Sequence, residues 1–267
     1  MIREPFVAGQ FYPRTEDSLR KMLSKLIDAS SEKQEAKAII MPHAGYEYSG
    51  HVAGATASRV EIKKTIIILG TNHSGAGKRF GIMTKGSWST PLGEIRIDAE
   101  IAGSILKSSD LIEEDSLSHI SEHSIEVELP FFQYLRPDVR IVPISVSRGR
   151  IEEYQSLGKD IAEGYKKIGR AALFAASTDL THHEPREAAE KKDGLAIDAI
   201  LSLDEERLYT VVEKNNISMC GAAPTCALIS ICKNLGASRS ELVKYQTSGD
   251  ASGDYSSVVG YAGFVIT

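Results

Sequence analysis

Three short apolar runs that lack polar alternation limit this chain to few folds. Residues 39–50 read "IIMPHAGYEYSG", residues 66–77 "IIILGTNHSGAG" and residues 172–183 "ALFAASTDLTHH". A strand with one wet face alternates apolar and polar side chains. A strand covered on both faces is apolar throughout, which is the pattern of a parallel sheet between two layers of helices. Each run then breaks into a polar loop with a histidine close behind. In an open α/β sheet, ligands bind in the crevice beyond the carboxyl ends of the strands, so these breaks are where chemistry is expected.

The rest of the chain fits the same architecture. Further β-branched runs lie at 80–84, 140–146, 241–247 and 257–266. Helical spacing appears in Leu19, Met22, Leu23, Leu26 and Ile27, behind a cap at Thr15, and in Ile151, Tyr154, Leu157, Ile161 and Tyr165. Further helices are expected from Pro185 and over Cys226 to Leu235, where Gly236 stops the second. The stretch "RFGIMTKGSWSTPLGEIRID" reads as two successive strands joined by turn residues, which brings antiparallel pairing into the sheet. The expected fold is α/β, a single three-layer α/β/α domain over residues 1–267 with a mixed central sheet.

Charge and composition exclude several function classes. A net charge of −5, from 31 basic and 36 acidic residues, gives no concentrated positive surface for nucleic acid. No apolar run approaches the roughly 20 residues that a bilayer requires. The N-terminal stretch "MIREPFVAGQFYP" lacks the apolar core of a signal peptide, so a cytoplasmic location is expected. Three cysteines, Cys220, Cys226 and Cys232, suit a reducing compartment, and their spacing differs from paired zinc ligands. They read as small buried residues on a helix.

If the three apolar strands run parallel, His43, His73 and the group Asp179, His182 and His183 share one edge. A single loop histidine is ordinarily just solvated or hydrogen-bonded. Three histidine-bearing loops at one end of a sheet point to a metal or acid–base site. Asn72, Asp179 and Tyr46, in or beside these loops, are candidate ligand-binding residues. The loop after Leu69 is not a nucleotide-phosphate loop, because Asn72 and Arg79 stand where that motif needs glycine and Ser or Thr.

A separate segment, "DSLSHISEHSIEVELPFFQYL", contains His119-x-x-Glu122-His123. One reading is an inverted zinc-peptidase motif, which needs a helix around it. A second makes Ser121, Glu122 and Ser124 a helix N-terminus with Ile125 and Leu129 facing the core. A third places Glu122 and His123 on the wall of the strand-end crevice as catalytic groups, and that reading is favoured.

The stretches "VAGQFYP", "PHAGYEYSG", "LGTNHSG", "TPLGEIRID", "HISEHSIEVELPFFQYL", "STDLTHH", "MCGAAP" and "YQTSGD" resemble, in order, those of the Memo-like proteins. This family is known in animals through a mediator of cell motility and is widespread in archaea and bacteria. The resemblance implies a fold similar to class III extradiol dioxygenases, which hold non-haem iron with two histidines and a carboxylate. It puts metal ligands at His43 and His73 and a catalytic base at His182. It sets the third ligand in the "TSGDA" turn, where animal members carry a cysteine and this chain offers Asp250 beside Ala251. The ion so held would be Fe(II) or Cu, with Zn or no metal as alternatives.

Two functions follow from that resemblance. One is a metal-dependent, dioxygenase-like redox enzyme acting on a small molecule or a modified side chain. The other is a binding protein that uses the same crevice for a peptide or an anionic ligand. The resemblance also implies radical-SAM and AMMECR-type proteins as partners.

Overall fold

The computed structural model describes residues 1–267. Its strands are β1 (Ile2–Arg3), β2 (Ala38–Met41), β3 (Thr65–Thr71), β4 (Phe80–Ile82), β5 (Ser87–Thr90), β6 (Gly93–Ile97), β7 (Glu113–Glu114), β8 (Arg140–Val146), β9 (Leu173–Ser177), β10 (His182–Glu184), β11 (Ser240–Thr247) and β12 (Val258–Ile266). All twelve belong to one sheet, whose main path runs β1-β5-β6-β8-β3-β9-β2-β12-β10.

The centre of that path, β6-β8-β3-β9-β2, is parallel throughout. Three of these, β2, β3 and β9, are the apolar runs that the sequence singles out, and Ile39, Ile40, Ile67, Ile68, Ala175 and Ala176 have no exposed surface. Antiparallel pairs flank the centre: β5 with β6 on one side, and β12 with β2, β10 and β11 on the other. The segment expected to hold two strands holds three, β4, β5 and β6. Gly86, at φ +99, turns the chain between the first two.

Helices cover both faces. On one face α3 (Ala99–Leu106), α6 (Ile151–Lys166), α9 (Ala222–Asn234), α8 (Glu205–Lys214) and α7 (Arg186–Leu201) pack in succession. On the other lie α1 (Glu16–Leu26), α2 (Tyr46–Ser58) and α5 (Leu129–Leu135), completing three layers. Thr15 occupies the N-cap of α1 without a side-chain bond to it. Two single turns, Leu117–Ile120 and Gly249–Ser252, sit at the sheet's loop end. No helix is long and apolar enough to cross a membrane.

Because β3, β9 and β2 are adjacent and parallel, their carboxyl ends lie side by side. The loops that follow Met41, Thr71 and Ser177 therefore emerge together, bringing His43, His73 and residues 179–183 within reach of one another.

Candidate metal centre

Side-chain donor atoms of His43, His73 and Cys220 all lie within 4.8 Å of one another. Two more groups share these members: His73 with Glu122 and His123, and Asp179 with His182 and Cys220. The imidazole of His123 stacks on that of His73, with centroids 4.7 Å apart and planes at 19°, and meets His43 edge-on at 5.4 Å.

The hydrogen bonds fix which nitrogen each histidine presents. Ser177 Oγ donates its only proton to the carbonyl of Ser124 at 2.6 Å, so at 2.7 Å from His43 Nδ1 it must accept. His43 therefore carries its proton on Nδ1 and turns the Nε2 lone pair toward Cys220 Sγ, 3.3 Å away. His73 Nδ1 donates to Glu122 Oε1 at 2.9 Å. His182 Nδ1 donates to the Leu180 carbonyl at 2.7 Å. In all three imidazoles Nε2 is thus the lone-pair nitrogen, and that of His43 faces the Cys220 thiol.

Glu122 is the hub of this arrangement. Its carboxylate also accepts from the backbone N–H of His73 at 2.6 Å, His123 at 2.8 Å and Ser124 at 2.9 Å. Burial alone would raise its pKa, but the His73 hydrogen bond and charge and the backbone donor of Ser124 outweigh burial and lower it to about 2. A carboxylate held ionised and saturated in this way orients a ligand histidine. In this structure all the hydrogen bonds of the Glu122 carboxylate are to His73 and to the backbone N–H groups of His73, His123 and Ser124.

Burial has the opposite consequence for the bases and for the thiol. It pulls His43 well below the ordinary histidine range, with the neighbouring His123 and His73 adding to the effect. It lowers His123 and His182 as well, and it raises Cys220 far above a normal thiol, with Asp179 contributing. Neutral imidazoles beside a protonated thiol are a poor nucleophilic dyad, since a thiolate needs nearby positive charge. A bound cation would supply that charge, so the donor chemistry fits a metal ion.

A family model described as Memo-like protein matches residues 3–265. The chain belongs to the Memo-like family. It is 41% identical to a MEMO1 family protein of Methanopyrus kandleri, with 99% of each chain covered. It is also 41% identical to one of Aquifex aeolicus, covering 99% of this chain and 98% of the relative. Among solved structures, an uncharacterized protein of Escherichia coli K12 shares the fold at a TM-score of 0.55 and 9% identity, covering 86% of this chain and 100% of that one.

Within this Memo-like chain the third ligand-type residue beside the histidines is Cys220 of "MCGAAP", not the residue expected in the "TSGDA" turn. Asp250 lies outside all three clusters: its carboxylate accepts from Thr247 N–H at 2.7 Å and pairs with Arg186 at 3.4 Å. Tyr46 also leaves the crevice, buried against Tyr12 and Phe131 with its hydroxyl donated to the Val127 carbonyl at 2.7 Å. Asn72 closes its own loop, donating to Ala76 and accepting from Gly75. Asp179 sits beneath the site and accepts from His43 N–H at 2.9 Å, and burial raises its pKa to about 7. Cys226 and Cys232 are buried on α9 as expected, but Cys220 precedes that helix.

Cys220 is held by contacts that no local pattern announces. Thr71 Oγ1 donates to its carbonyl at 2.8 Å, and Gly221 N–H donates to Thr178 Oγ1 at 3.0 Å. A Cβ at Gly221 would lie 2.3 Å from the Ser177 carbonyl, so only glycine lets the loop come this close.

His119 separates from Glu122 and His123. It sits in a single helical turn, fully buried edge-on against Trp88 at 5.6 Å, and neither ring nitrogen has a partner. The peptidase reading therefore loses one of its two metal ligands. Burial lowers the His119 pKa to about 4. The folded state thus holds it neutral where the unfolded chain, at about 6.5, is already binding a proton. Its contribution to stability should be complete above pH 6.5 and be lost progressively as the pH falls toward 4, with a slope near 1.4 kcal/mol per pH unit. Urea midpoints measured across that window should show the parent losing stability relative to His119→Phe as the pH falls; a pH-independent difference would refute the assignment.

Proposed function

We propose that this protein is a metal-dependent redox enzyme whose ion is held by His43, His73 and Cys220. The observation that carries the reading is that two imidazoles with Nδ1 already committed aim Nε2 at the same space as a thiol. One thiolate with two imidazoles suits copper, and iron and zinc accept the same donors. Iron or copper, when bound, would supply one-electron chemistry with dioxygen, in keeping with the dioxygenase-like character that the family resemblance implies.

The chain's own residues would do the rest. Glu122 and Ser177 lock the ligand imidazoles, so the site needs little rearrangement to bind. His182, neutral and with Nε2 free, would take a proton from a bound molecule at the edge shared with Cys220 and Asp179. His123 and Phe11, whose rings meet at 4.9 Å, wall off one side from water.

The test is metal analysis of protein purified without tag or chelator, followed by oxygen uptake after anaerobic loading with Fe(II) or Cu(I). One ion per chain is expected and, with ascorbate supplied as the electron donor, oxygen consumption above that of the free ion. His182→Ala should keep the ion and lose about 10²–10⁴-fold in rate, the usual share of a general base. Glu122→Gln should weaken metal affinity by about 10–100-fold, the usual cost of losing an orienting carboxylate. Retained metal with no oxygen consumption under any loading would favour the binding-protein reading instead.

A further inference from the structure

A cavity of about 810 Å³ meets the histidine cluster at Cys220, with Thr71 and Asn72 beside it and Ser218, the partner of the His182 backbone, also in its wall. It lies within the range of small-molecule sites, roughly 300–1,000 Å³. Its inner wall is apolar and partly aromatic, formed by Tyr154, Tyr209, Val212, Ile217 and Met219. Its rim carries three cations, Lys78, Arg79 and Arg148, against a single carboxylate, Glu213.

The cations differ in how far they are committed. Arg79 is paired with Glu153 at 2.9 Å and Lys78 with Glu113 at 2.7 Å. Arg148 reaches Glu213 only at 3.4 Å, and its side chain is 91% exposed. Such an exposed pair contributes little, so the guanidinium is available to an incoming anion at small cost. A purely apolar ligand would leave this rim unused, and a small inorganic anion would leave the apolar wall wet.

We propose that this cavity binds a small organic anion, its apolar body against Tyr209, Ile217 and Met219 and its charged end on Arg148. The occupant's inner end would then lie beside the Cys220 thiol. Only the further step of treating that occupant as substrate rests on the metal-centre reading; the binding itself does not.

The experiment is calorimetric titration with four matched probes: 2-naphthoate, 2-naphthyl phosphate, 2-naphthol and 2-naphthylmethylammonium. Both anions should bind, the neutral probe at least about tenfold more weakly, and the cation not measurably. Arg148→Ala, a change at an exposed position, should weaken the anions by about tenfold, as expected for one charge-assisted hydrogen bond, and leave 2-naphthol unchanged. Ala223 also lines the cavity, and Ala223→Phe, which takes up part of its volume, should weaken all three binders, with its thermal midpoint checking the fold. The tighter of the two anions identifies the headgroup as carboxylate or phosphate. Anion binding no stronger than that of 2-naphthol, or insensitive to Arg148→Ala, would overturn the proposal. Metal content measured on the same samples separates the two readings: metal-free protein that still binds naphthoate through Arg148 sinks only the metal centre.

Discussion

Cys220→Ala protein should purify folded and without its metal, with affinity reduced by well over 100-fold. That lower bound follows because a ligand should cost more than the 10–100-fold typical of an orienting residue. Asp250→Ala, by contrast, should keep its metal, since that carboxylate is occupied with Thr247 and Arg186. Metal per chain after dialysis against a weak chelator decides both variants in one measurement. Affinity in the parent should also rise with pH, because burial holds the Cys220 thiol protonated and the ion must displace that proton. Equal metal content in the Cys220 and Asp250 variants would remove the thiol from the site.

Glu126→Ala should be the most destabilising single change away from the cluster, by about 3–5 kcal/mol, the usual cost of leaving a buried charge unpaired. Arg3 and Glu126 form an ion pair with 2% and 0% of their surfaces exposed. Glu126 also accepts from Tyr12 Oη at 2.6 Å and from the backbone N–H of Phe6 and Val7. Arg3, stacked over Trp88, donates to the carbonyls of His119 at 3.0 Å and Glu122 at 2.5 Å. Losing Glu126 therefore frees the N-terminal segment and loosens the backbone that delivers Glu122 to His73. Urea unfolding should show the loss of stability, and metal titration a smaller loss of affinity. The double change Arg3→Met with Glu126→Leu, which removes both charges, should recover only part of the stability, because Tyr12 Oη and the N–H groups of Phe6 and Val7 still lose their acceptor. A Glu126→Ala variant within 1 kcal/mol of the parent, on the same scale, would show that the pair is not a structural anchor.

The sheet and its histidines were legible in the sequence because both signals are local. An unbroken apolar run specifies a doubly covered strand, and its end specifies which residues reach the crevice. His43, His73 and His182 follow from position along the chain, whereas Glu122 and His123 rest on one of three readings of the His119–His123 segment. Cys220 did not, because its approach depends on the close packing of Gly221 against Ser177 and Thr178, which are distant in sequence. Asp250 was misplaced because a Ser- and Gly-rich turn offers few fixed points for matching motifs, and its aspartate serves the turn. Helix α2 also escaped notice. Its sequence "YEYSGHVAGATAS" is rich in small residues, and Gly54 has low helix propensity. Packing requires it there, since a Cβ at Gly54 would lie 2.2 Å from the Leu26 carbonyl. The same helix draws Tyr46, at its first turn, into the core.

The place of β12 in the sheet has a consequence for how the site comes into being. The last strand in chain order is an interior one: Phe264 pairs with Ile40 on β2, two residues before the loop that bears His43 begins. Pairings between such distant segments form late, because the intervening chain must first be ordered. Until β12 docks, β2 presents an open, fully apolar edge of the kind that recruits other chains. A nascent or heat-loosened molecule should therefore be most prone to aggregate while the loop that bears His43 is still unformed. An ion that binds only the completed sheet would shift that balance by mass action, so metal supply would govern how much of this protein survives its own folding.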